Sequence, residues 1–92
     1  MRINVTAANI EAGKIGYDDT GSNAVALAIQ AVCKKGVLVW AAPEGIRLDD
    51  GQDCETEFNC PEEVQTYLDA LATGKDSQPF AFELDIESRY LP

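Results

Sequence analysis

Val37-Leu38-Val39-Trp40-Ala41-Ala42-Pro43-Glu44-Gly45-Ile46-Arg47-Leu48-Asp49-Asp50-Gly51-Gln52-Asp53-Cys54-Glu55-Thr56-Glu57-Phe58 is the stretch that decides the fold class. The apolar run Val37–Ala41 predicts a central strand with both faces partly covered, and it puts Trp40 in the core. Pro43-Glu44-Gly45 turns the chain, and Ile46-Arg47-Leu48 alternates as a second strand. Asp50-Gly51 is a hairpin turn signal. The return segment 53–58 alternates again, with Cys54, Thr56 and Phe58 on one face and Asp53, Glu55 and Glu57 on the other.

Helical periods flank this strand unit. Upstream, Val25, Ala28, Ile29 and Val32 repeat at i, i+3, i+4 and i+7, which predicts a helix over 24–35. Ser22 or Asn23 is its N-cap, Lys34 and Lys35 lie in its last turn, and Gly36 ends it. Downstream, Cys60 stands at a cap and Pro61 at a first helical position, followed by Glu62 and Glu63 at the positive end of the helix dipole. Val64, Tyr67, Leu68 and Leu71 supply that helix's buried stripe, and Gly74 stops it.

At the ends, residues 2–6 read as a strand with Ile3 and Val5 on one face. Thr6 caps a short helical turn over Ala7–Ala12 that Gly13 closes. Lys14–Gly21 reads as a loop. Phe80, Phe82, Leu84 and Ile86 alternate with Ala81, Glu83, Asp85 and Glu87, which predicts a half-buried strand. The expected architecture is α+β: a small, mostly antiparallel sheet of four to five strands with two helices packed on one face. Residues 1–92 form a single domain.

The opening Ile3-x-Val5-Thr6-x-x-x-Ile10-x-x-Gly13, the helix start Val25-Ala26-Leu27-Ala28-Ile29 and the ending Pro79-Phe80-x-Phe82-x-Leu84 resemble a family of short uncharacterised bacteriophage and prophage accessory proteins. Members often carry Asn-Cys-Pro before the helix, where this chain has Ser22-Asn23-Ala24, so no thiol stands at that cap. The resemblance implies a phage accessory protein acting in the host bacterial cytoplasm. Such genes often encode inhibitors of host proteins, anti-CRISPR proteins among them.

Composition points toward a binding protein. The chain carries 16 Asp plus Glu against 7 Lys plus Arg, a formal net charge of −9. Such a field repels nucleic acid and anionic membrane and favours basic partners. With i and i+2 side chains about 6.6 Å apart on a strand, Asp53, Glu55 and Glu57 form one acidic row and Glu83, Asp85 and Glu87 another. Together they roughly copy the charge density of a nucleic-acid backbone and are the candidate partner-binding residues. The plain alternative is that they keep the solvated face of a sheet polar.

Other chemistry finds little footing. The chain has no histidine, and it has no Gly-rich phosphate loop or nucleophile elbow, so no catalytic residues are expected. The loop from Asp49 to Glu55 lacks the spacing of a calcium-binding EF-hand loop. Cys33, Cys54 and Cys60 lack zinc-site spacing and read as free thiols, so neither metal nor cofactor is expected. No long apolar run predicts a membrane span.

Two functions follow as expectations. In the first, the protein inhibits a host defence protein, such as a CRISPR effector, by occupying its basic nucleic-acid-binding surface. In the second, it is a non-catalytic structural or regulatory adaptor, or a homodimer, that pairs through a sheet edge or an apolar patch.

Overall fold

A computed structural model describes residues 1–14, 21–52 and 54–92. The expected loop from Lys14 to Gly21 lies, at 15–20, outside the described residues, as does Asp53. The elements run β1 (Arg2–Val5), α1 (Ala7–Gly13), α2 (Ala24–Val32), β2 (Leu38–Ala42), β3 (Gly45–Asp49), β4 (Glu55–Phe58), α3 (Glu62–Ala72) and β5 (Phe80–Glu83), then a 3-10 turn at Ser88–Tyr90.

The α+β class holds, but the strands form two antiparallel sheets where one was expected. β1 pairs with β5, and β2, β3 and β4 form a second sheet in that order. One local reason lies at the edge of β2. The Ala41 carbonyl accepts a hydrogen bond from Asn23 Nδ2 at 2.9 Å, so a helix cap takes an edge acceptor that a further strand would need. Helix α2 packs against α1, β1 and β2, while α3 lies on β5. β2 is therefore an edge strand and β3 the central one, a correction to the reading of the apolar run.

Each helix begins where its cap chemistry dictates. Thr6 Oγ1 accepts from the Asn9 N–H at 3.1 Å, and Asn9 Oδ1 accepts from the Thr6 N–H at 3.0 Å, a reciprocal box at the head of α1. Asn23 is the cap of α2, its Oδ1 accepting from the Ala26 N–H at 2.9 Å. Helix α2 stops at Val32, short of the expected end. Cys33 turns extended and the Lys34 N–H donates to the Tyr90 carbonyl at 2.8 Å, leaving both lysines beyond the helix. Pro61 is itself the extended cap residue of α3, one position later than expected.

Two glycines answer to specific contacts. Gly13 lies inside α1, not past its end, because a β-carbon there would sit 2.6 Å from the backbone nitrogen of Ala24. Gly45 follows the Pro43-Glu44 turn with φ +155°, and a β-carbon there would lie 2.7 Å from the Phe58 carbonyl oxygen.

The core fills the space among the helices and the inner sheet faces. Ile3, Val25, Ile29, Ile46, Leu48 and Val64 are fully buried. Tyr90, delivered by the 3-10 turn, joins them, and its hydroxyl lies 2.6 Å from Thr56 Oγ1. The Tyr67 hydroxyl accepts from the Ala24 N–H at 3.2 Å, which ties α3 to the head of α2. β5 is shorter than expected because its partner β1 has only four residues. Backbone bonds between Met1 and Leu84 end the pairing, yet burial keeps alternating through Leu84 and Ile86.

Candidate interaction surface

The strands that carry the acidic residues also set what surrounds them. In the three-stranded sheet, cross-strand register sets Leu38, Asp49 and Glu55 in one row and Trp40, Arg47 and Glu57 in the next. These six side chains share the outer face, since Val39, Ala41, Ile46 and Leu48 alternate with them and are buried. Leu38 is 52% exposed and Trp40 half-buried, so Trp40 lies on the outer face and not in the core as expected. Five consecutive apolar residues on a strand covered on one side must leave some of them outside.

Arg47 ties this face together. Its guanidinium carbon lies 4.5 Å from the centre of the Trp40 ring, within cation–π range. Its Nε is 3.3 Å from Glu55 Oε1, yet that nitrogen is shielded from solvent and makes no hydrogen bond. At the hairpin end, a concavity of about 340 Å³ opens between Trp40, Glu44, Arg47, Glu57 and Phe58. The outer face carries three carboxylates, Asp49, Glu55 and Glu57, against one guanidinium, which leaves two negative charges.

Glu83, Asp85 and Glu87 are all exposed; Glu83 ends β5 in the two-stranded sheet, and Asp85 and Glu87 follow it outside both sheets. The structure gives two of them cations of their own. Glu83 faces Arg2 across β1 and lies 3.8 Å from the Met1 ammonium. Glu87 accepts from Arg89 at 3.0 Å (Nε) and 2.5 Å (Nη2), and from Thr56 Oγ1 at 3.3 Å. The hydrogen bonds from Arg89 hold the Glu87 carboxyl below the usual glutamate range, against a smaller opposing effect of desolvation. Thr56 points to the inner side of β4 whereas Glu55 and Glu57 point outward, so Glu87 and that pair sit on different sides of the strand. Among the described residues Asp85 has no ion pair.

The turn between β3 and β4 uses its carboxylates internally. Asp49 Oδ1 accepts from the Gly51 N–H at 2.7 Å, and Asp50 Oδ1 accepts from Gln52 at 2.8 Å and from Cys54 at 3.3 Å. Among the described residues no cluster of three or more His, Cys, Asp or Glu side chains is placed to hold a metal. Cys33, Cys54 and Cys60 are free thiols, and Arg89 donates to Cys54 Sγ. Burial pushes the Cys33 thiol up, and burial with Asp69 and Glu44 does the same to Cys60. No described helix is long and apolar enough to cross a membrane.

A groove of about 500 Å³ between α3 and β5, walled by Tyr67 and Phe80 and edged by Glu62, Glu63 and Asp76, went unread in the sequence. The aromatic pair meets at 5.6 Å between ring centres. Helix and strand periods mark Tyr67 and Phe80 only as inward residues, and the opening between them arises from packing of distant segments. No protein family, curated protein or solved structure matches this chain.

Proposed function

We propose that the chain is a non-catalytic acidic binding protein that occupies a basic, nucleic-acid-binding surface of another protein. The observation that carries this reading is the carboxylate surplus of a net −9 chain, standing outward on strands: Glu55 and Glu57 on β4, Glu83 with Asp85 and Glu87 on and beyond β5. Carboxylates on a rigid frame keep their spacing without an ordering cost at binding, and a negative field steers basic partners. The resemblance to phage accessory proteins adds a setting: a host defence protein, a CRISPR effector for example, met in the bacterial cytoplasm. In this reading the protein binds neither nucleic acid nor membrane, and it needs no cofactor.

The test is to capture a partner from host lysate and measure its affinity across salt and against nucleic acid. Affinity should fall by at least about tenfold between low and high salt, and nucleic acid should compete. An affinity indifferent to salt, or a partner that holds this protein and nucleic acid together, overturns the reading. The adaptor alternative draws on exposed Leu38 at the β2 edge. A tight, salt-insensitive homodimer in sedimentation would support it instead.

A further inference from the structure

The geometry points to the outer face of β2–β3–β4 as the docking surface, with the concavity at its hairpin end receiving an arginine side chain of a basic protein partner. This inference rests on the acidic-binder reading and names the site through which that reading would act.

Interfaces that bind tightly combine an apolar, aromatic centre with a polar rim, and most of the binding energy falls on a few buried anchors. Charge without such a centre speeds encounter more than it holds a complex. The outer face has both parts. Leu38, the most exposed large apolar side chain of the strands, stands beside half-buried Trp40 on β2. Carboxylates line the opposite edge strand, where Glu55 and Glu57 stand two strands away, about 10 Å across the sheet. The face thus grades from apolar to acidic over three strands. Helix α2 packs on β2, whose Val39 and Ala41 are buried, while Leu38 stands exposed on the outer face.

The concavity sets the chemistry of the occupant. Its volume of about 340 Å³ suits a long side chain with its flanking backbone, and Trp40 lines it from the outer face. Glu44 and Glu57 rim it, against the single guanidinium of Arg47. A planar cation that can both stack on an aromatic ring and donate to two carboxylates is an arginine side chain. Arg47 already demonstrates the stacking at this ring, 4.5 Å from its centre. A second copy of this chain is disfavoured as occupant because two −9 molecules repel.

Trp40 is the chain's one tryptophan, so its emission reports this face alone. The probe is an alternating arginine–leucine decapeptide, with the same peptide carrying neutral citrulline for arginine as control. Binding is followed by Trp40 fluorescence and by calorimetry, and each variant's fold is checked by its melting temperature. The expected result is a saturable change in Trp40 emission with the arginine peptide and none with citrulline. Trp40→Ala, read by calorimetry, and the double change Glu44→Gln with Glu57→Gln should each weaken binding at least about tenfold, as anchor losses do. Leu38→Ala, which alters an exposed side chain, provides a fold-safe second variant and should also weaken it.

Two results overturn the docking face while sparing the broader reading. One is calorimetric binding with unchanged Trp40 emission that is abolished by reversing Glu83, Asp85 and Glu87 to Lys. The other is a concentration-dependent dimer that Trp40→Ala dissolves, which makes this face a self-interface. If the arginine peptide does not bind and no captured partner shows salt-dependent affinity, this inference and the acidic-binder reading fall together.

Discussion

Phe82 and Trp40 are both aromatic residues in short strands of alternating burial, and they end on opposite sides of the protein. Phe82 is 2% exposed, set opposite Ile3 across β1–β5 and 6.3 Å, ring centre to centre, from Phe80. Trp40 sits outside, over Arg47. Period two tells which side chains share a face, and the neighbouring elements decide which face becomes the inside. Along β5 and the segment after it, Phe80, Phe82, Leu84 and Ile86 alternate with Ala81 and three carboxylates, so only one face can be buried. On β2 every residue is apolar, the alternation carries no sign, and the choice is made by tertiary packing: α2 meets β2, and Val39 and Ala41 are the buried members. The two acidic rows repeat the lesson. Glu55 and Glu57 share a face with Trp40 and Leu38, where Arg47 pairs with Glu55, whereas Glu83 and Glu87 lie on the other row beside the Met1 ammonium and Arg89.

The largest expected effect tests the buried side of this comparison. Phe82→Ala should cost about 3–5 kcal/mol in denaturant melts, because it leaves a cavity that the rigid pairing with β1 cannot close. A loss under about 1 kcal/mol would mean that the β5 face is looser than its burial indicates.

What was legible follows the same division. Caps and amphipathic stripes were readable because each depends on residues within a turn or two: Thr6 before α1, Asn23 before α2, and the Val64–Tyr67–Leu68 stripe of α3. The Phe80–Ile86 alternation was readable because its two faces differ in polarity. The outward carboxylates were readable for the same reason. Strand order was not, since nothing local to β2 says that a helix cap will take its edge carbonyl. Tyr90 was not read as core either. It sits in a three-residue turn with no period, and its partners Lys34 and Thr56 lie far away in sequence.

Asn23 joins the two regions, and its replacement should rank second. The side chain is 3% exposed, accepting from Ala26 and donating to Ala41. Asn23→Ala removes a helix cap and leaves a buried carbonyl without its donor, at a cost of about 1–3 kcal/mol. Asn23→Asp keeps the cap acceptor but loses the donor, so it should fall at or below the alanine variant in chemical melts. An aspartate variant as stable as the parent would show that the bond to Ala41 contributes nothing.

Trp40→Ala is expected to be milder than either. The side chain lies on an edge strand and gives up a partly exposed surface with one cation–π contact, so the loss should stay near ~1 kcal/mol. Fluorescence is lost with the residue, so circular dichroism is the measurement. A loss as large as that of Phe82→Ala would erase the contrast between the two aromatics and place Trp40 in the core after all.

The smallest effect concerns the acidic row beyond β5. The Glu87 carboxyl is held below the ordinary glutamate range chiefly by the hydrogen bonds from Arg89. The folded state therefore favours the ionised form more than the unfolded chain does. Any stability from this pairing is present above the unfolded glutamate's titration and fades as the pH falls through the lower, folded value. Carboxyl NMR should show Glu87 titrating below ordinary glutamate, and Arg89→Gln should move that midpoint upward. Because the pair is solvent-exposed, the global melting temperature should barely change, which separates a local partner from a structural one. If the midpoint stays put in Arg89→Gln, the guanidinium does not hold this carboxylate. Glu87 would then stand as open to a basic partner as Asp85, and the pairing that sets it apart within its own row would be lost.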